Sequence, residues 1–403
     1  MTSRMPDMET TLKEKPADSP GTLSDNLEIR RHEGRRALRD LAGPLTSAGF
    51  LPAPLPGMEP EYLAAGSEGD HPGAMVAYSE GRVIAYMPYA LRRAVFPIAP
   101  GPVRLARIPY RQLRLFGYAS KFDGRASILD LFFQTLLAHT TWHVAEIIDL
   151  PADDPLCRYV TRKAAESKPA YGVISKPFDT IQVRLDETFT NYLMNQFSKK
   201  TRYNLKREVR LLEDAAPGEV AVKVYTSPDE VRDFLRDAEK IARLTYQWKL
   251  GFNTMRADPE LLQKLSLLAK CGRFRSYILF IRDTPAAYCC ATVRQGDLSY
   301  DNVGYDPQFA KLNPGKVLLY RIVEDLHEWR RVGRLEFGRG PADYKQLFAN
   351  CRRVVLDIHL YSRRPYSQFL RLLRVIADIG FQSLRPLVQP LMPYIKRRFR
   401  TSV

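Results

Sequence analysis

The sequence predicts an α/β (α+β) protein of two tandem halves, each a mixed, mostly antiparallel twisted sheet flanked by helices, followed by a basic amphipathic helical tail. Three observations predict it. The chain has 403 residues, more than one hydrophobic core usually fills, so two domains are the starting expectation. The same order of strand-like and helix-like segments occurs twice, the mark of a tandem duplication whose period is far too long for a solenoid. A composition 45% hydrophobic, 11% aromatic and 26% charged describes packed domains and excludes a disordered chain.

Residues 1–30, polar and scattered with Pro, Ser, Asp and Lys, are expected to form a flexible tail without the apolar stretch of a signal peptide. No run approaches the roughly 20 apolar residues that cross a bilayer, so a cytoplasmic protein is expected. The first half, residues 31–185, contains a hairpin: Met75–Tyr78, the turn Ser79-Glu80-Gly81-Arg82, then Val83–Met87. A helix over Ala126–Thr141 follows, with Ile128, Phe132, Leu136 and Leu137 at helical spacing, then strands at Ala145–Leu150 and Ile181–Leu185. Glu187–Leu212 reads as helical sequence with an apolar stripe and a face of Lys199, Lys200, Arg202, Lys206, Arg207 and Arg210. After a helix over Asp229–Gln247, the second half (186–362) repeats the order. Its hairpin runs from Tyr277–Ile281 through Arg282-Asp283-Thr284-Pro285 to Ala286–Val293. A helix over Pro314–Arg331 and strands at Arg334–Gly338 and Val354–Leu360 complete it.

Five cysteines form no Cys-x-x-Cys pair and leave an odd count, which argues against a disulfide framework and for a reducing compartment. His139 and His143 are expected to flank a helix end and the strand after it, and no metal site is expected. The net charge of +16 is uneven: Arg352–Val403 holds eleven Arg and Lys against Asp357 and Asp378. Within it, residues 363–403 form the basic tail, a surface suited to phosphates, anionic lipid or RNA.

Two segments of the second half carry chemistry. In Asn313-Pro314-Gly315-Lys316, Asn is a strong N-cap and Pro is favoured at the first helical position. The amides of Gly315, Lys316 and Val317 are expected to point outward with the helix dipole behind them, an anion site to which Lys316 adds a mobile charge. In Phe337-Gly338-Arg339-Gly340, followed by Asp343-Tyr344-Lys345, an apolar strand ends in glycines that permit tight geometry beside a cleft. Tyr344 and Lys345 would face that crevice as hydrogen-bond or proton donors.

Together these segments resemble the catalytic half of a GNAT acyltransferase. Ser198-Lys-Lys-Thr-Arg-Tyr-Asn-Leu-Lys-Arg207, Gly304-Tyr-Asp-Pro307, Asn313-Pro-Gly315, Phe337-Gly-Arg-Gly340 and Tyr344-Lys345 look more closely like the CelD/BcsL-type acetyltransferase-like family. That family is similar to the Fem-type aminoacyltransferases, which also pair two GNAT-like domains. The resemblance covers Leu185–Leu347 well and Glu59–Lys176 weakly. It implies two GNAT-like domains and acyl-CoA-dependent acylation of an amine, on an amino sugar, a glycan or envelope precursor in polysaccharide biosynthesis, or a small molecule. The sequence departs from the usual pyrophosphate loop: Lys311-Leu-Asn-Pro-Gly-Lys316 keeps one cradle glycine where two are usual.

On this reading Asn313, Gly315, Lys316, Val317, Gly338, Arg339 and Gly340 would hold the acyl-CoA, and no metal takes part. Asp301 is the expected general base with Glu336 in reserve, Tyr344 protonates the leaving thiolate, and Lys345 or β-strand amides steady the oxyanion. The first half, whose equivalent loop is the acidic Pro151-Ala-Asp-Asp-Pro-Leu156, is expected to bind no CoA and to shape the acceptor cleft. Two rivals remain: an aminoacyl-tRNA-dependent Fem-like ligase, and a non-catalytic scaffold on an anionic inner-membrane face, where Phe369, Leu372, Leu373, Val375 and Ile376 would lie on lipid. No DNA-binding motif is recognisable.

Overall fold

The computed structural model describes residues 27–51, 58–65, 69–98, 106–121, 126–138, 142–166, 172–174, 177–245, 248, 255–294, 296–338 and 342–388. Most of the expected flexible tail, the last part of the basic tail, and Arg339 and Gly340 lie outside these residues.

The first half runs β1 (Leu27–Glu33), α1 (Arg35–Ser47), α2 (Pro60–Ala64), β2 (His71–Ser79), β3 (Arg82–Ile98), β4 (Ala106–Leu115), β5 (Ala119–Ser120), α3 (Ala126–Ala138), β6 (Val144–Pro151), α4 (Pro155–Glu166), β7 (Gly172–Ile174) and β8 (Phe178–Arg184). The second runs α5 (Phe189–Gln196), α6 (Lys199–Ala215), β9 (Val220–Tyr225), α7 (Val231–Leu244), α8 (Pro259–Lys270), β10 (Ser276–Ile281), β11 (Thr284–Arg294), β12 (Asp297–Tyr305), α9 (Pro314–Trp329), β13 (Arg334–Glu336), α10 (Asp343–Phe348), β14 (Cys351–Tyr361) and α11 (Pro365–Val388).

Both expected hairpins form. Each turns on two residues with positive φ, Glu80-Gly81 and Arg282-Asp283, whose twist matches that of the flanking strands. The single helical stretch expected over Glu187–Leu212 is instead two helices, because Thr188 and Ser198 each cap one: their hydroxyls accept from the amides of Asn191 and Thr201, both at 3.2 Å.

All these strands form one sheet of order β1-β2-β3-β4-β6-β14-β8-β13-β12-β11-β10-β9, with β5 on β3 and β7 on β14. The last strands of the two halves are exchanged. The second half's β14 pairs antiparallel with β6, and the first half's β8 pairs antiparallel with β13. The division at residue 185 expected from chain order therefore does not coincide with a break in the sheet.

On one face, α9, α5 and α6 bury Val317, Leu319, Ile322, Val323, Leu326, Leu205 and Leu212 against Tyr277, Leu279 and Ala291, while α3 and α4 cover the first half with Ile128, Phe132 and Leu156. The other face carries α7 and α8 over the second half and α1 over the first. There an ion pair between Arg273 and Glu59, 3.1 Å long with both side chains nearly buried, ties the halves together a second time. The start of the basic tail is not detached: α11 buries Leu370 against Phe96, Tyr110, Val144 and Tyr361.

Candidate active site

The site grows from the way two parallel strands part. β12 and β13 pair through only two residues each, Leu298 with Leu335 and Ser299 with Glu336. β12 runs on to Tyr305, still paired with β11 on its other side, so among the described residues its edge beyond Ser299 has no partner strand. β13 ends because Gly338 takes a left-handed backbone (φ 62°) and turns the chain away. The open edge leads from Glu336 toward the beginning of α9, where Gly315 faces the ring of Tyr305. Next to the fork, one extra residue in β12 bulges the strand between Tyr300 and Asn302, and that residue is Asp301.

Asp301 is saturated. Its carboxylate accepts from Arg294 (2.9 Å), the Thr292 hydroxyl (3.0 Å) and the Ser299 hydroxyl (2.5 Å). Both of its oxygens are engaged by these side chains. Glu336 is half-buried and accepts no hydrogen bond from the described residues. Burial pushes its carboxyl above the usual range, the charge of Asp297 adds to this, and Arg294 and Arg353 only partly offset it.

The helix entrance differs from the expectation in three respects. Asn313 adopts a left-handed backbone (φ 49°) and its side chain makes no cap. Its carbonyl instead accepts from the amides of Lys316 (3.0 Å) and Val317 (3.1 Å), so of the three amides expected to be free only that of Gly315 keeps no backbone acceptor. Lys316 is not mobile: its ammonium is tied to Glu208 of α6 at 2.8 Å. Gly315 itself fits a cradle. A Cβ there would meet only the Tyr305 ring, at 3.6 Å, so protein packing does not demand glycine at this position.

Lys345 is also engaged. It is half-buried, burial lowers its pKa, and its ammonium donates to the carbonyl of Phe337 at 2.7 Å, holding the end of β13 where the strands part. Tyr344 is half-buried and packs against the second-half core close to Tyr300. The structure thus brings Asp301, Glu336, Gly338, Tyr344 and Lys345 to one fork, with Asn313, Gly315, Lys316 and Val317 at its far end.

Sequence reasoning missed a buried acid of the first half. Glu146 on β6 is buried and accepts from Tyr110 (2.9 Å) and Gln112 (2.5 Å), with His359 of the exchanged β14 at 3.6 Å. Burial pushes its carboxyl up, but His359 and Tyr110 outweigh this and leave it below the ordinary value. A charged residue inside the apolar run Ala145-Glu146-Ile147 was the available signal. Among the described residues, no group of three or more His, Cys, Asp or Glu is arranged to hold a metal ion.

Comparisons with known proteins bear on the fold. The model of the acetyltransferase (GNAT) domain family matches residues 199–346. Comparison with curated proteins gives no match. Among solved structures, FemX superposes with a TM-score of 0.51 at 11% identity, over 75% of this chain and 90% of its own. The C-terminal domain (DUF2156) of a putative lysylphosphatidylglycerol synthetase from Agrobacterium fabrum does so with a TM-score of 0.50 at 10% identity, over 87% of this chain and 96% of its own. At these identities the likeness establishes the fold across both halves. No helix among the described residues is long and apolar enough to cross a membrane. Residues 199–346 thus match an acetyltransferase (GNAT) domain, and the chain as a whole shares the fold of FemX.

Proposed function

We propose that the chain transfers an acyl group from acyl-CoA to an amine acceptor, an amino sugar or a glycan or envelope precursor in polysaccharide biosynthesis. The observation that carries this reading is the open edge of β12 running from Glu336 to Gly315. An extended, amide-bearing thioester arm can add to that edge as a strand would. Its diphosphate would then lie at the start of α9, on the Gly315 amide and the positive end of the helix. Lys316, held by Glu208, and the exposed side chain of Asn313 border that position.

The amine attacks the thioester carbonyl, its nitrogen forming the new C–N bond as the C–S bond breaks. Glu336 takes the proton the amine loses; a carboxyl raised by burial is closer in pKa to that task than an ordinary one. Unpaired amides of β12 face the developing oxyanion, where preorganised donors lower the barrier most. Tyr344 returns a proton to the departing thiolate, and Lys345 fixes the strand end that carries Glu336. Acid Asp301 orders Arg294, Thr292 and Ser299 around the fork.

The test is transfer of labelled acetyl or longer acyl groups from CoA to amino sugars by purified protein, with labelled aminoacyl-tRNA as the competing donor. Product from acyl-CoA supports the reading. Product from aminoacyl-tRNA alone replaces it with a Fem-like ligase, which the overall likeness to FemX favours. We further propose that α11 contacts an anionic membrane face, because Phe369, Leu372 and Ile376 on it are about half exposed beside Arg371 and Arg374.

A further inference from the structure

Charges from both halves meet in the cleft beside the fork. On the first half, Arg114 of β4 stands in register with Glu146 of β6. Arg294 and Asp149 act electrostatically on Arg114 and also on Glu336, so residues of both halves share one space. Most of the charges there are matched. Glu146 is held by Tyr110, Gln112 and His359, and Arg92 donates to Gln112. Asp301 is held by Arg294, and Asp297 faces Arg334 at 3.5 Å.

Two groups are left over. Glu336 accepts nothing, and Arg114, half-buried, makes no hydrogen bond or ion pair among the described residues, only a stacking contact 5.7 Å from the Phe116 ring. Burial disfavours this guanidinium most, and like-charged Arg92 and Arg294 add to that. Glu146, already held by Tyr110 and Gln112, and Asp149 offset it without a hydrogen bond, so an anion that bonds it directly would complete it. Its planar fork suits a phosphate or carboxylate taken by two parallel hydrogen bonds.

We propose that Arg114 binds an anionic group of the acceptor, so that the substrate is an amine carrying a phosphate or carboxylate, its nitrogen at Glu336 and its anion at the first half. This rests on the acyl-transfer reading above and gives the first half a direct role: it selects the acceptor that the second half acylates. Wild-type protein and the variants Arg114→Gln and Arg114→Lys are titrated with inorganic phosphate and, separately, with CoA; acetyl transfer to glucosamine 6-phosphate is compared with transfer to glucosamine. Arg114→Gln should weaken phosphate binding by at least about tenfold and erase a preference for the phosphorylated amine, while CoA binding and the melting temperature stay unchanged. Arg114→Lys should retain part of both. Equal phosphate binding by wild type and Arg114→Gln overturns the proposal, whatever the enzyme transfers. Loss of CoA binding in the wild type would instead overturn the acyl-transfer reading and leave the phosphate result to stand alone.

Discussion

The two halves place a glutamate at matching points and surround it differently. In each, a parallel strand pair lies at the heart of the sheet: Leu113–Ala145 and Arg114–Glu146 in the first half, Leu298–Leu335 and Ser299–Glu336 in the second. Glu146 is buried under Tyr110, Gln112 and His359; burial pushes its carboxyl up, but His359 and Tyr110 outweigh this and hold it below the ordinary value. Glu336 has no such partners, and burial holds it above. Backbone order sets where a carboxylate sits; the neighbouring side chains decide whether it is a structural acceptor or a proton acceptor. The same contrast extends outward. α6 packs Leu205, Val209 and Leu212 on the second half and leaves a pocket of about 210 Å³, whereas the first half keeps a larger cavity of about 570 Å³ lined by Met75, Tyr89, Leu91, Leu113 and Trp142.

The largest expected effect tests this contrast directly. Glu336→Gln should lower kcat/KM by about 10²–10⁴-fold, and Glu146→Gln should change the chemical step far less, measured by steady-state kinetics on one acceptor. The pH dependence follows from the raised carboxyl of Glu336. Activity should rise with pH on a limb lying above the usual carboxylate range, and Glu336→Gln should remove that limb. The sign for stability is opposite. A carboxyl whose folded pKa exceeds its unfolded one favours the fold only at low pH, and that contribution is lost as pH rises through the folded pKa. Glu336→Gln should therefore melt no lower than wild type at neutral pH.

A second substitution probes how the halves are joined. Glu59→Ala leaves Arg273 buried without its ion-pair partner and should lower stability by about 3 kcal/mol. The exchanged strands should keep thermal unfolding a single transition; two separate transitions would mean the halves are independent. Lys345→Met removes a charge-assisted hydrogen bond worth about 1.5–3 kcal/mol and should reduce kcat by about 10–100-fold with acceptor KM little changed. The smallest effect concerns α11. Phe369→Asp with Ile376→Asp should abolish flotation with phosphatidylglycerol vesicles and leave transfer to a soluble acceptor intact.

Local structure was legible in the sequence because local rules govern it. The turns at Ser79–Arg82 and Arg282–Pro285, the buried face of α9 and the strand through Ile147 follow from periodicity and turn residues. What escaped depends on partners far apart in the chain. Exchanging β8 and β14 preserves each strand's alternation, so nothing in Ile181–Leu185 or Val354–Leu360 announces which half it joins. Lys316 and Glu208 meet across 108 positions, and the side chains that hold Asp301 meet it at a bulge. Gly315 faces the Tyr305 ring at the helix start, and Asn313 caps by its carbonyl rather than its side chain.

The most direct test of the account is hydrogen–deuterium exchange of the full chain with and without CoA. Binding at the fork should slow exchange of the β12 amides from Tyr300 to Tyr305 and of Gly315, and leave the first half's β4 unaltered. Protection confined to β4 and β6, or no protection in either half at saturating CoA, would contradict it.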